Sequence, residues 1–183
     1  MASLIVYYTQ SGNTEKVAEY IKGFTGGDLL RIGPTEAPGK TPEERMKANR
    51  VIMEDFKNGK LPEISGVPEN LDKYDTIYIG SPNWGNTAVP WIFAFTAKYD
   101  FTGKKVAVFC THGTRGGYKV FADIEATCKN AEAFIPGFGC YSQVMDEKTE
   151  TEVKFWLQGN GLIESERRYS HCKKGSLTDP FYV

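Results

Sequence analysis

The chain has 183 residues, with 22 lysines and arginines against 23 aspartates and glutamates, and 40% of its residues are hydrophobic. That length suits one domain able to bury about 70% of its unfolded surface, and the apolar content excludes a disordered chain. A net charge of −1 gives no footing for nucleic acid or an anionic membrane surface, and no run approaches the ~18 apolar residues of a membrane span.

The first residues, MASLIVYYTQSGNT, have no basic n-region and soon turn polar, which predicts that they are not a secretory signal. Leu4-Ile5-Val6-Tyr7-Tyr8 is apolar at every position, the pattern of a strand covered on both faces in a parallel sheet. Behind it Val17, Tyr20, Ile21 and Phe24 recur at helical spacing after Asn13-Thr14, and Leu29 to Ile32 suggests a short second strand. Thr41-Pro42-Glu43-Glu44 sets an N-cap, a proline and two acids at the start of a helix that closes at Asn58-Gly59. Thr76 to Ile79 and Val106 to Phe109 are further continuous apolar strands, and Phe138 to Tyr141 is a weaker candidate for a last one. Helical patterns at Val89 to Lys98, Tyr118 to Cys128 and Glu150 to Leu157 complete the set. Strands covered on both faces that alternate with helices predict an α/β, doubly wound parallel sheet with helices on both sides. An antiparallel α+β domain would need strands of alternating polarity, and these runs do not alternate.

The four cysteines, Cys110, Cys128, Cys140 and Cys172, form no C-x-x-C pair. Their wide spacing argues for reduced, mostly buried thiols rather than a zinc site or a disulfide framework, and hence for a cytoplasmic protein.

In an open α/β sheet, ligands bind beyond the carboxyl ends of the strands. Three loops there are chemically loaded. Thr9-Gln10-Ser11-Gly12-Asn13-Thr14 offers hydroxyls, amides, a glycine and the free N–H groups of a helix start, which suit a phosphate. The same residue types also make an ordinary helix cap. The loop is neither a Walker loop nor a G-x-G-x-x-G fingerprint. Ser81-Pro82-Asn83-Trp84-Gly85-Asn86 presents a tryptophan that either covers a flat apolar ligand or folds back on the core. Thr111-His112-Gly113-Thr114-Arg115-Gly116-Gly117 has three glycines that permit close backbone approach to a ligand. Cys110 and Arg115 are separated by four residues, one short of the ring that a cysteine phosphatase closes around its phosphate.

Together these residues resemble the flavodoxin family. Thr9 to Thr14 fits the pattern [ST]-x-[ST]-G-N-T of the loop that holds the FMN phosphate, while Tyr78 to Gly85 and Phe109 to Gly113 are similar to the two flavin-ring loops. The resemblance runs from about residue 3 to residue 158 and implies a five-stranded sheet of order 2-1-3-4-5, with FMN at its switch point. It further implies that Thr9, Gln10, Ser11, Gly12, Asn13 and Thr14 surround the phosphate. Trp84 would stack on the isoalloxazine, with Pro82, Asn83 and Gly85 near N5 and N3. Thr111, His112, Gly113, Arg115 and Gly117 would line the N1/C2=O edge, with Tyr118 over the outer face.

The implied activity is electron transfer between a soluble donor and a soluble acceptor, with no catalytic side chain, because the cofactor carries the chemistry. Near-neutral charge and the presence of His112 and Arg115, where acids are more usual, favour as an alternative an FMN-dependent NAD(P)H- or quinone-type oxidoreductase. The expected domain is 1–159, and residues 160–183 form an extension with no counterpart in a minimal flavodoxin.

Overall fold

The computed structural model describes residues 2–34, 39–113, 116–143 and 145–165. Five strands, β1 (Ser3–Tyr7), β2 (Asp28–Arg31), β3 (Thr76–Pro82), β4 (Lys105–His112) and β5 (Ala133–Tyr141), alternate with five helices, α1 (Asn13–Thr25), α2 (Pro42–Lys57), α3 (Pro90–Lys98), α4 (Tyr118–Glu125) and α5 (Glu147–Gly159). The strands form one sheet of order β2-β1-β3-β4-β5, parallel at every pairing. This is the doubly wound parallel sheet expected from the alternation of apolar runs and helical stripes, in the strand order that the resemblance to flavodoxins implies.

The pleat divides the core in two. Leu4, Val6, Ile77, Ile79, Val106 and Val108 face a layer built by α3 and α4. Ile5, Tyr78, Ala107 and Phe109 face Val17, Ala18 and Ile21 of α1 and Val153 and Leu157 of α5. Successive residues point to opposite faces, so a strand covered on both sides reads as a continuous apolar run, as β1 does from Leu4 to Tyr7. Gly80 lies where any side chain would run into the Phe109 ring, so the absence of a Cβ lets the two strands pack there.

The sheet extends beyond its apolar runs. Ser81 and Pro82 pair with Cys110 and Thr111 as strand residues, and His112 pairs with Tyr141. The sequence had placed all but Cys110 and Tyr141 in loops. Proline is tolerated at Pro82 because the strand ends there. β5 begins at Ala133, not Phe138: Pro136-Gly137 interrupts the pattern, and a register shift opposite Ala107 and Phe109 takes up the irregularity. α4 stops at Glu125, three residues before Cys128, and α5 starts at Glu147, where Asp146 accepts hydrogen bonds from Lys148 N–H and Thr149 N–H. The extension is described only as far as Ser165. No helix among the described residues is long and apolar enough to cross a membrane.

Candidate functional site

β1 lies between β2 and β3, so the chain winds away from it in both directions and the switch point falls at its carboxyl end. There the loop Thr9–Asn13 turns into α1. Thr9 is buried, and its hydroxyl accepts the Gly12 N–H at 3.0 Å. Gly12 sits at φ 87°, a left-handed conformation that glycine adopts at no steric cost. With Gly12 as N-cap, no side chain caps α1, whereas α2 is capped by Thr41 and α5 by Asp146. The amides at the start of α1 therefore keep donors for an external acceptor. Ser11 is exposed beside them. The loop itself carries no charged side chain, so an anion there is met by dipoles and hydroxyls.

Two further loops are fastened to this one. Thr14, buried in the first turn of α1, shares a 2.8 Å hydrogen bond between hydroxyls with Thr111 at the end of β4. Asn83 donates its backbone N–H to Thr111 O at 2.9 Å and its side-chain amide to Gly116 O at 2.7 Å, and its Oδ1 accepts the Asn86 N–H at 2.8 Å. Trp84 and Thr87 exchange backbone hydrogen bonds around Gly85 and Asn86, both at positive φ as a type I′ turn requires. The Thr87 hydroxyl donates to Asp123, and the Ser81 hydroxyl accepts the Val89 N–H, so the turn is held from both sides. The Gln10 and Asn49 side chains exchange amide hydrogen bonds, tying the first loop to α2.

The three loops named from the sequence are thus one connected structure. Trp84 is half-buried, and its indole meets Tyr8 and Trp91 edge-on at centroid distances of 5.5 and 6.3 Å. Tyr8 in turn stacks on Trp91 at 4.8 Å and 5°. Trp84 therefore rests partly on the core, the second of the two placements its sequence left open, and keeps part of its ring exposed. Tyr118 is 86% exposed at the start of α4, and Gly117 is its buried N-cap. Gly113 is exposed. His112 sits at a strand end rather than in a free loop: its ring approaches Gly139 and Tyr141, and its Nδ1 is buried without a hydrogen-bond partner among the described residues. Arg115 and Thr114 lie outside the described residues.

Burial pushes the Cys110 thiol up to about 12 and does the same to the Tyr8 phenol. A buried thiol held protonated is a poor nucleophile, which argues against a cysteine-phosphatase site as the spacing does. Cys110, Cys128 and Cys140 are all free and buried. Among the described residues no cluster of three histidine, cysteine or acidic side chains could hold a metal.

Asn49, Thr87 and Asp123 were not among the residues picked out from the sequence, and Asn86 appeared only as the end of the Trp84 loop. Gly85-Asn86 carries a turn signal that could have been used, whereas nothing local marks Asn49 or Asp123.

A family model described as flavodoxin matches residues 2–160, and the chain belongs to that family. FMN is the cofactor of flavodoxins, and the uncapped start of α1 and the joined strand-end loops fit it. No curated protein matches the sequence. Among solved structures, one described as a flavoprotein from Bacteroides eggerthii is 26% identical, with a TM-score of 0.68 over 87% of this chain and 98% of that one. A flavoprotein from Lactobacillus acidophilus, solved in complex with FMN, is 22% identical, with a TM-score of 0.63 over 85% and 97%. Flavodoxin 1 from Bacillus cereus is 22% identical, with a TM-score of 0.57 over 86% and 96%. The last two share the fold.

Proposed function

We propose that this protein binds one FMN and passes electrons between soluble redox proteins. The observation that carries this reading is the uncharged loop before α1, with its uncapped amides, joined through Thr14 to Thr111 and so to the loops that would flank a flavin ring. In this reading the Ser11 hydroxyl, the Asn13 N–H and the first-turn amides hold the phosphate, while Gly12, whose N–H is taken by Thr9, supplies the left-handed turn. Thr9 and Thr14 hold the loop in shape, and Gln10 ties it to α2. The segment Pro82–Gly85 borders one side of the ring, Thr111, His112, Gly113 and Gly117 line its edge, and Tyr118 covers it from outside. Bound there, FMN supplies one- and two-electron chemistry, and the chain sets its position and its contact with water. The exposure of Tyr118 suits a partner that approaches the flavin edge directly.

A second reading, an FMN-dependent oxidoreductase acting on NAD(P)H or a quinone, draws support from the near-neutral charge of the chain and from His112 at the edge of the site. Purified protein should be yellow, contain about one FMN per chain, and bind FMN more tightly than riboflavin. Equal affinity for the two would remove the phosphate assignment. Rapid flavin reduction by NADPH or NADH, with steady turnover of a soluble quinone, would favour the enzyme over the carrier.

A further inference from the structure

α2 buries none of its sixteen residues completely, although it packs beside the core. Met46, Arg50, Met53, Phe56 and Lys57 fall at helical spacing along one face of it, and across from them stands the exposed part of Trp84. Between the two walls is a cavity of about 400 Å³. Two of its lining residues are anchored elsewhere: Asn49 is held by Gln10, and Phe56 stacks on Phe93 at 4.7 Å and 14°. The helix is thus tied to the rest of the protein at two points along a gap that it does not fill.

We propose that this gap is a second binding site, for a planar aromatic anion of one or two fused rings. Its volume lies in the range of small-molecule pockets. An indole, a phenyl ring and two thioethers make polarisable walls that favour a flat ring over a branched aliphatic group. The rim supplies the sign of the charge. Arg50 and Lys57 are both exposed, and neither has an acidic partner among the described residues. A guanidinium fork beside an apolar cavity matches a carboxylate or sulfonate on the edge of an aromatic ring. The site lies beside the cofactor loops and shares only Trp84, Gly85 and Thr87 with the turn that borders them, so it does not require that flavin be bound.

The test is calorimetric titration of the full chain as purified with naphthalene-2-sulfonate, and with naphthalene-2-carboxamide as its neutral counterpart. The sulfonate should bind once per chain and more tightly than the amide. Arg50→Gln/Lys57→Gln should weaken the sulfonate roughly 10- to 100-fold, the loss of charge-assisted hydrogen bonds, and leave the amide unchanged. Met53→Trp, which fills the gap, should abolish both while the melting temperature and any flavin absorbance persist. Absence of saturable sulfonate binding, sulfonate binding indifferent to both variants, or displacement of FMN by the sulfonate would each overturn the proposal. Flavin content, read from the visible spectrum of the same samples, reports separately on the cofactor assignment.

Discussion

Asn83→Ala is the sharpest single perturbation of the site, because this one side chain joins two of its loops. The substitution removes the 2.7 Å bond to Gly116 O and the 2.8 Å bond from Asn86 N–H, while the backbone bond to Thr111 O survives. A typical intramolecular hydrogen bond contributes about 0.5–1.5 kcal/mol net, so the pair contributes about 1–3 kcal/mol to holding the loops in place. If this ordering must be restored when FMN binds, the dissociation constant rises roughly 5- to 140-fold, at 1.4 kcal/mol per factor of ten. The cost falls on the ring loops and not on the phosphate, so riboflavin should lose as much affinity as FMN. Titration of both ligands into flavin-free protein, followed by quenching of flavin fluorescence, measures this directly. A dissociation constant within twofold of wild type, together with a lowered melting temperature, would show that Asn83 holds the fold and not the cofactor. Parallel titration of Asn83→Asp separates the two bonds, since its carboxylate can still accept from Asn86 N–H but cannot donate to Gly116.

Ser11→Ala should weaken FMN by roughly tenfold or more while leaving riboflavin unchanged, because Ser11 is exposed and its hydroxyl has only the phosphate to meet; equal loss of both ligands would contradict this. Thr14→Ala is a less clean probe, since it also removes the hydroxyl partner of Thr111, and it should lower the melting temperature as well as the affinity. Gly80→Ala places a methyl group in the Phe109 ring and should cost about 1–3 kcal/mol in urea unfolding, with part of the loss recovered in Gly80→Ala/Phe109→Leu; additive losses would refute that contact. Burial raises Cys110 and Cys128 to about 12 against ~8.5 for an unfolded thiol, so the folded state retains protons that the unfolded state releases. Their contribution is complete below about pH 8.5 and falls by up to about 1.4 kcal/mol per thiol for each further pH unit until the folded value is reached. Urea midpoints measured at pH 7.5 and pH 10 should therefore drop on the alkaline side, and a flat profile would count against the buried, protonated thiols.

Most of the fold is legible in the sequence because the middles of β1, β3 and β4 lie between two helical layers and read as continuous apolar runs. β5 escapes this rule. As the edge strand it is covered unevenly, with Phe134 and Tyr141 exposed while Phe138 and Cys140 are buried, and Pro136-Gly137 breaks what alternation remains. The ends of β3 and β4 were read short for a related reason. Ser81, Pro82, Thr111 and His112 are polar or turn-forming residues, yet the ladders continue through them because pairing is made by backbone groups, and Asn83 N–H closes the last rung onto Thr111 O.

The candidate site divides along the same line between local and distant. Thr9 to Thr14 could be read because everything a helix start needs to hold an anion lies within six consecutive residues. What shapes that loop is remote in sequence: Thr14 meets Thr111 across 97 positions, Gln10 meets Asn49 across 39, and Asn83 meets Gly116 across 33. The placement of Trp84 is likewise decided by Tyr8 and Trp91, two core residues that carry no ligand signal of their own. This division bears on how the site can work. A loop without a cation has no long-range attraction to offer a phosphate, so its affinity depends on where its donors are held, and their positions are fixed by those distant hydrogen bonds. The residues that name the cofactor are therefore clustered in the sequence, while those that set how well it is held are scattered through it and come together only in the folded chain.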